Sequence, residues 1–403
     1  MGGLMTGVSR RSRAIKTSPH RVLVALADQL RRSGRRVIDF TAGQPGLPPD
    51  ASALAEFIEF MSKNTFTAFR YAPTQGLPEL REEISADLKK YGGVDVPPDN
   101  IVVTSGGMDG IILSLYATTD PNDRVLLLEP CYSMYWDTLT FLGLEAEWCS
   151  ESVDTGFQPS VDCILDKIKK VKAVLFASPD NPTSRVISRE VAKAIAEEAS
   201  RRGVWILYDV AYKHLVYEGE HVWLEKYVEN PDVLVNIGSF SKDIAIPGGR
   251  LGYVYTFNKE LAREMVKLKG ILGIVAPVPM QWLATIYLRK GYKEKYLEYV
   301  LPIYRRRRDA AYEAVRKYLP RARVVKPTAS MYVFPDLSSY LAEMKVSDLD
   351  LAVKLAEEKG VVALPGSIFG PSGANHLRIT FVTNDEKTIE EGIKLIGEYL
   401  GEA

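Results

Sequence analysis

Lys242 and Arg250 are the two side chains whose types and spacing most clearly suggest a chemical reaction. Lys242 ends the segment Ser239-Phe240-Ser241-Lys242, and Arg250 follows a pair of glycines eight residues later. A lysine amine can condense with an aldehyde to form a Schiff base, and the planar fork of an arginine can hold a phosphate. Together they provide what a cofactor with an aldehyde group and a phosphate tail requires.

This segment, continued through Tyr253, resembles that of fold-type I pyridoxal 5′-phosphate (PLP) enzymes of the class I/II aminotransferase family, which use the same spacing. Other motifs of the family recur in the expected order, over roughly residues 35–400. The resemblance implies a PLP-dependent aminotransferase that moves an amino group between an L-amino acid and a 2-oxo acid. It implies Lys242 as Schiff base and proton shuttle, and ping-pong kinetics.

Asp209 is the expected partner of the cofactor ring nitrogen. PLP chemistry needs this nitrogen protonated, because its charge lets the ring accept electrons from the substrate Cα, and a buried carboxylate favours the charge. Asp209 ends the apolar run 205–208, which places it at the carboxyl edge of a predicted parallel strand, where ligands bind. It begins an Asp-x-x-Tyr motif like that of the family, which implies Lys242, Asp209 and Tyr212 as catalytic residues, with Tyr212 on the cofactor 3-oxygen.

Asn181 and Tyr132 are the two other side chains expected around the cofactor ring. The segment Pro179–Thr183 resembles the family's Asn-Pro-Thr-Gly motif, although Ser184 stands here in place of the final glycine. Asn181 is expected to donate to the 3-oxygen, which tunes the pKa of the Schiff base. Tyr132 matches the position whose aromatic ring stacks on the pyridine.

A phosphate anchor is expected where Thr104–Met108 connects a predicted strand to a predicted helix. The N-terminus of a helix offers unpaired N–H groups and a favourable dipole to an anion. We expect the backbone amides of Gly107 and Met108 to bind the phosphate. Ser239 and Arg250 are the other two expected phosphate-binding residues.

Arg378 is the expected partner of the substrate α-carboxylate, for which a bidentate arginine is well suited. It matches the family's C-terminal arginine, and Gly43 resembles the segment whose backbone meets the same carboxylate, with Asn181 assisting. Met108 stands where some aspartate-specific members carry a lysine. The sequence therefore favours a neutral, aromatic or aliphatic substrate side chain, although another arginine could serve a distal carboxylate.

The prediction of how the chain assembles rests on Tyr71. The segment Tyr71–Arg81 resembles one that, in the family, sends its tyrosine across a twofold interface to the neighbour's phosphate. The resemblance therefore implies a homodimer with shared sites.

The pattern of apolar residues indicates an α/β fold. From about residue 100, short apolar runs without polar alternation are separated by helical patterns, which is typical of a mostly parallel sheet covered by helices. After Pro302 come a long helix, several short strands that include 324–325, and a closing helix. We predict a large PLP-binding α/β domain over residues 51–290, and a small α+β domain, formed by 1–50 and 291–403, that closes over the substrate.

Composition and charge limit which binding partners and which cellular compartment are expected. Lys plus Arg and Asp plus Glu number 51 each, so the overall charge does not favour nucleic acid or a membrane surface as a partner. The run Arg305–Arg308 is predicted to be a solvated helical face with ion pairs. Three cysteines without a Cys-x-x-Cys pair indicate neither a disulfide framework nor a zinc site and fit a reducing compartment. His20 and the other three histidines lack metal-ligand spacing, so we predict no metal and expect ordinary surface or core residues.

The N-terminus contains two weak targeting patterns. Met1–Thr6 matches the loose myristoylation pattern, and Ser9–Arg13 is basic like part of a transit peptide. Because patterns this short recur by chance, we expect a cytoplasmic protein.

Two alternatives use the same scaffold. A PLP-dependent C–S β-lyase would expel a β-substituent from the same carbanion, and the sequence separates it poorly from an aminotransferase. A PLP-binding regulatory domain would need an added helix-turn-helix domain, for which we expect no room before Val37.

Overall fold

A computed structural model describes residues 7–15 and 19–402 of the chain. The myristoylation pattern at Met1–Thr6 lies outside these residues. Within the described ranges, none of the helices combines the length and apolar composition that crossing a bilayer requires.

Twelve strands form three sheets within the described residues. In chain order, they are β1 Ile38–Asp39, β2 Ile101–Thr104, β3 Arg124–Glu129, β4 Glu145–Ser150, β5 Ala173–Ala177, β6 Trp205–Asp209, β7 Leu234–Ser239, β8 Gly252–Thr256, β9 Tyr332–Val333, β10 Val361–Val362, β11 Leu364–Pro365 and β12 Leu377–Thr380.

The α-helices are α1 Arg10–Ala14, α2 Pro19–Arg32, α3 Ala51–Lys63, α4 Thr65–Phe69, α5 Pro78–Gly92, α6 Gly107–Thr118, α7 Met134–Leu142, α8 Val161–Lys167, α9 Arg189–Arg202, α10 Phe240–Asp243, α11 Lys259–Gly273, α12 Val278–Arg289, α13 Tyr292–Tyr318, α14 Ser338–Met344, α15 Asp348–Lys354 and α16 Glu386–Tyr399. A π-helical turn, Leu355–Lys359, continues α15.

The central sheet has seven strands in the order β2-β8-β7-β6-β5-β3-β4. Only β8 runs antiparallel to its neighbours, and the others share one direction. Successive side chains point to opposite faces. Leu126 and Leu128 therefore pack with Val174 in one hydrophobic core, whereas Val125 and Leu127 pack in another. A sheet buried on both faces explains the unbroken apolar runs and confirms the predicted α/β architecture.

The C-terminal part of the chain forms two small sheets, one of which includes an N-terminal strand. β1 pairs in parallel with β10, and β12 lies between β11 and β9 with antiparallel pairing on both sides. The long helix α13 and the closing helix α16 pack against each other beside them. Residues near the two ends of the chain therefore share one hydrophobic core. The division at residues 50 and 290 stays a prediction.

The structure corrects two predictions about local structure after Pro302. Residues 324–325 form no strand, because Arg323 makes only one isolated bridge with Asp336 and the ladder does not extend. Arg305 and Arg306 are exposed as expected, but Arg308 is fully buried. Its guanidinium is instead enclosed, and it donates to the Pro327 carbonyl at 2.6 Å and to Glu218 at 2.8 Å.

A single disulfide, which the sequence did not indicate, joins Cys149 of β4 and Cys163 of α8. Their spacing in the sequence does not reveal that the helix packs against the strand. Cys131 is buried and has no disulfide partner within the described part of the chain. The argument for a reducing compartment, which rested on unpaired cysteines, therefore loses its basis.

Candidate active site

A cavity of about 540 Å³ lies at the carboxyl edge of the central sheet. All but one of the residues predicted for the site line it: Gly43, Gly107, Met108, Tyr132, Asn181, Asp209, Tyr212, Ser239, Lys242, Arg250 and Arg378. The exception is Tyr71, whose side chain is on the surface and 78% exposed.

Parallel strand pairing brings the chemical groups together. β6 lies between β5 and β7, and Asp209 pairs in register with Ala177 on one side and Ile237 on the other. Because these strands end at the same edge, the residues that follow β5 and β7 lie beside Asp209. Asn181 and Lys242 are such residues, so segments distant in the sequence meet in the cavity.

Lys242 extends its amine into the cavity from the short helix α10. Its Nζ donates a hydrogen bond to the Gly43 carbonyl and lies 5.6 Å from the centre of the Tyr212 ring. Burial lowers the pKa of Lys242 to about 8; the positive charge of Arg378 acts in the same direction, while Asp209 opposes both. A larger fraction of the amine is therefore uncharged near neutral pH than in an ordinary lysine, and the uncharged form acts as a nucleophile.

Asp209 is buried, and both of its oxygens are hydrogen-bonded. The Tyr135 hydroxyl donates to Oδ2 at 2.8 Å, and the backbone N–H of Ala211 donates to Oδ1 at 3.0 Å. Burial raises the pKa of Asp209, and the hydrogen bond from Tyr135 counteracts that rise. Sequence reasoning missed Tyr135, because nothing in its spacing indicates that α7 places it under the end of β6.

Tyr212 is paired with a second tyrosine that the sequence did not indicate. Its hydroxyl lies 3.0 Å from the hydroxyl of Tyr332 on β9. Burial raises the pKa of Tyr212 well above its usual value, so this phenol stays protonated at neutral pH. A Cβ on Gly43 would lie 3.3 Å from the Tyr332 hydroxyl, so a glycine there keeps this contact uncrowded.

The turn that carries Asn181 shows how Ser184 replaces the family's glycine. Ser184 adopts a positive φ of 58°, a conformation that glycine adopts easily and other residues adopt rarely. Its hydroxyl donates to the Tyr332 carbonyl at 2.8 Å and accepts from the Tyr332 N–H at 3.1 Å. Asp180 closes the turn by accepting from the backbone and hydroxyl of Thr183. The serine thus keeps the turn through contacts with β9.

Arg378 on β12 is held so that part of its guanidinium remains available. Nη1 donates to Asn181 Oδ1 at 3.0 Å and Nη2 donates to the Thr41 carbonyl at 2.6 Å. Its guanidinium carbon lies 4.3 Å from the Tyr332 ring centre and 5.3 Å from that of Phe369. The buried Nε has no hydrogen-bond partner among the described residues. An oriented, incompletely paired arginine in a cavity is suited to an anionic group.

The N-terminus of α6 and Arg250 form a second anion-binding corner. Gly106 caps α6 with a φ of 95° and without a capping side chain, which leaves the first amides of the helix unsatisfied by a cap. A Cβ at Gly106 would lie 2.6 Å from Arg250 Nη2, so Arg250 would have to move, and the positive φ of Gly106 separately favours a glycine. Arg250 itself has a φ of 52° and donates to the Pro247 carbonyl at 2.9 Å.

Helix α2 supplies lining residues that sequence reasoning missed. His20, Arg21 and Val24 line the cavity together with Ile368 and Phe369. Burial lowers the pKa of His20, and the nearby charge of Arg378 lowers it further. His20 is therefore not the ordinary surface or core residue that we expected, and no motif in its surroundings indicates its position.

The fold and the site define the class of protein. The family model for aminotransferase class I and II matches residues 35–396. The chain therefore belongs to the aminotransferase class I and II family and is a PLP-dependent aminotransferase, as the sequence predicts.

Named relatives and solved structures agree with this assignment. The probable aspartate/prephenate aminotransferase of Aquifex aeolicus is 32% identical, over 98% of this chain and 99% of the relative. The (5-formylfuran-3-yl)methyl phosphate transaminase of Methanocaldococcus jannaschii is 31% identical, over 94% of this chain and 95% of its own. The structure of the Thermus thermophilus aspartate aminotransferase with maleate superposes with a TM-score of 0.90 at 28% identity, covering 98% and 100% of the two chains. The predicted fold-type I architecture is confirmed.

Proposed function

We propose that the cavity binds PLP and catalyses ping-pong transfer of an amino group between an L-amino acid and a 2-oxo acid. The observation that carries the proposal is Lys242, whose amine shares the cavity with Asp209 and has a pKa lowered to about 8. Such an amine can attack an aldehyde near neutral pH without strong base.

The residues present fit the parts of PLP. The uncapped N-terminus of α6, with Gly107 and Met108, supports a phosphate site that Ser239 and Arg250 complete. The buried carboxylate of Asp209 suits a cationic ring nitrogen. When bound, PLP supplies an electron-accepting ring that stabilises negative charge at the substrate Cα.

The side chains of the cavity then take distinct roles. Lys242 would hold the cofactor through its amine, and the same amine, when free and uncharged, could accept the proton from the substrate Cα. Asp209 would keep the ring nitrogen protonated, and Tyr132 would contact the ring. Tyr212 and Asn181 donate to the 3-oxygen; because Asn181 Oδ1 accepts from Arg378, its Nδ2 is left to donate.

Arg378 is proposed to bind the substrate α-carboxylate, with the backbone of Gly43 and the side chain of Asn181 beside it. Its buried, unpaired Nε supports this role, since a carboxylate would satisfy it. Closure of the proposed small domain, residues 1–50 and 291–403, over the large one would exclude water from the reacting atoms.

For the substrate side chain, we propose a neutral, aromatic or aliphatic group. Met108, Ile111 and Ile368 are apolar side chains that line the cavity. A dicarboxylic donor is the competing choice, because aspartate stands in the names of several relatives and Arg21 lines the same cavity. Steady-state rates with a panel of amino donors separate the two. Aspartate as much the best donor, with its advantage lost in Arg21→Ala, would refute the neutral preference.

A homodimer in which Tyr71 crosses to the neighbouring phosphate completes the proposal. Tyr71 is exposed on its own chain and lies close in sequence to Phe66 and Phe69, which are 78% and 66% exposed. Exposed aromatic residues near one another are typical of an interface. Sedimentation of the purified protein should give twice the mass of the chain, and a monomer with full activity would exclude a shared site.

The decisive experiment locates the cofactor. Protein supplied with PLP should be yellow, and borohydride should fix the label on Lys242, as read by peptide mass spectrometry. Lys242→Ala should lose both colour and turnover, whereas Lys267→Ala, at an exposed lysine paired with Glu264, should keep them. A label on another lysine would overturn the assignment. Release of pyruvate and ammonia from cystathionine without an oxo acid would instead identify a β-lyase.

A further inference from the structure

A buried ion pair lies directly behind two residues of the cavity. Lys213 follows Tyr212 in the chain, and Asp243 follows Lys242. The Lys213 Nζ donates to Asp243 Oδ2 at 3.1 Å, and the two side chains are only 1% and 4% exposed. The pair therefore connects the two segments that carry Tyr212 and Lys242 from the side away from the cavity.

A third segment is attached to the same amine. Lys213 Nζ donates at 2.9 Å to the hydroxyl of Tyr253, which lies on β8 opposite Gly238 of β7. The Tyr253 ring occupies the space above Gly238, where a Cβ would come within 2.3 Å of it. Lys213 is thus anchored to the central sheet as well as to α10.

The two connected segments have little support of their own. Helix α10 is four residues long, and a helix of this length is not stable by itself. Residues 211–214 form turns outside any helix or strand. Both segments therefore depend on side-chain contacts for their position.

The charges around the pair are balanced. Asp87 of α5 and Lys293 of α13 form a second ion pair, and His214 Nε2 lies 3.1 Å from Lys293 Nζ and 3.9 Å from Asp243 Oδ2. Burial lowers the pKa of His214, which leaves the ring neutral. Two cations thus face two carboxylates. Buried pairs of this kind often add little stability compared with apolar side chains, but they fix how the two side chains lie relative to each other.

We propose that Lys213 and Asp243 are positioning residues that hold Tyr212 and Lys242 at their working separation. The inference rests on the proposed function, because Tyr212 and Lys242 have their roles there. The pair does not line the cavity and acts only through the two residues next to it.

The double variant Lys213→Met/Asp243→Leu separates positioning from stability. It removes both charges, so no buried charge is left unpaired, and its melting temperature should recover compared with Lys213→Met alone. The double variant nevertheless loses the contact that fixes the relative positions of the two segments. We expect kcat to fall at least about tenfold with a smaller change in KM, because small displacements of reacting groups are costly.

A second readout does not need turnover. In the cofactor-free protein, the rate at which an amine-directed reagent labels Lys242, located by mass spectrometry, should rise with pH with a midpoint of about 8. In the double variant, a less enclosed Lys242 should titrate higher, toward the ordinary lysine value of about 10.4. The two removed charges are opposite, so this change reports position and not a net charge.

Lys293→Met/Asp87→Leu is the matched control, since it removes the same chemistry from the same cluster without touching a neighbour of Tyr212 or Lys242. It should keep the wild-type kcat and midpoint. If Lys213→Met/Asp243→Leu does not fold, Lys213→Gln/Asp243→Asn carries both readouts, because it also removes both charges and keeps polar groups in their place.

The outcomes are distinguishable. Wild-type kcat and midpoint in the double variant, or equal losses in the control, would overturn the positioning role and leave the proposed function intact. A wild-type protein that does not attach PLP at Lys242 would overturn the proposed function itself.

Discussion

The hydrogen bond from Tyr135 to Asp209 gives the sharpest test of how the site is tuned. Tyr135→Phe removes one hydroxyl from a fully buried ring and leaves its packing intact. It deletes the 2.8 Å bond to Asp209 Oδ2, while the bond from the Ala211 N–H to Oδ1 remains. The substitution therefore changes only how well the ionised form of the Asp209 carboxylate is stabilised.

The size and sign of the effect follow from this bond. A hydrogen bond to a charged group contributes about 1.5–3 kcal/mol, and about 1.4 kcal/mol corresponds to one pKa unit. Burial already raises the pKa of Asp209, and Tyr135 opposes that rise. Without Tyr135, the pKa of Asp209 should rise further, because the ionised carboxylate loses that hydrogen bond. Asp209 then becomes protonated at a higher pH and can no longer stabilise a cationic ring nitrogen.

The assay follows retention of PLP, by its absorbance, as the pH is lowered. Both proteins should lose the cofactor on the acid side, and Tyr135→Phe should lose it at a higher pH than the wild type. Tyr208→Phe is the matched control, because it removes an equally buried hydroxyl that donates at 2.8 Å to a neutral carbonyl, that of Val222. Its acid profile should match the wild type.

An unchanged acid profile and unchanged kcat in Tyr135→Phe would refute the reasoning. An equal change in Tyr208→Phe would show that loss of a buried hydroxyl, and not the charge of Asp209, is responsible.

Three other predictions concern separate parts of the structure. Arg378→Leu should lower kcat/KM for every amino donor by about 100-fold in steady-state kinetics, because the α-carboxylate loses a charged partner worth about 3 kcal/mol. Gly106→Ala should release PLP faster on dialysis, because a Cβ would lie 2.6 Å from Arg250 Nη2 and φ is 95°. Reduction of the Cys149–Cys163 disulfide should lower the free energy of unfolding in denaturant by about 3 kcal/mol, at unchanged kcat, since the bond closes a loop of 14 residues.

Each has a clear contrary result. Arg378 would have no role in carboxylate binding if kcat/KM stayed the same for all donors. Normal PLP retention in Gly106→Ala would place the phosphate elsewhere, and identical unfolding curves with and without reductant would mean that the disulfide does not constrain the unfolded chain.

Much of the architecture could be predicted because its signals are local. The unbroken apolar runs around Ala173–Ala177 and Trp205–Asp209 indicate strands buried on both faces, and these strands form the middle of the central sheet. The predicted strand at 324–325 failed because its apolar pair has no neighbouring strand to extend a ladder. Arg308 was misplaced because a run of arginines does not reveal which of them faces the protein interior.

The predicted site residues that line the cavity could likewise be named from the sequence. The lining residues that other elements contribute could not. Lys242, Asp209 and Arg378 each follow from a demand of the chemistry met by one residue type at the end of a recognisable element. Tyr135 and Arg21 were missed, because their roles depend on which helix packs beside the cavity and not on their own surroundings in the sequence.

Residue type and position along a strand thus indicate which groups meet at the cavity, since parallel strands deliver their last residues to one edge. Packing alone decides what surrounds those groups: the Tyr135 bond to Asp209, the Lys213–Asp243 pair behind Lys242, and the positive φ of Ser184 against β9. These contacts join residues that lie from tens to more than a hundred positions apart in the sequence, or they depend on backbone conformation. Their free energy depends on distances that exist only once the chain has folded.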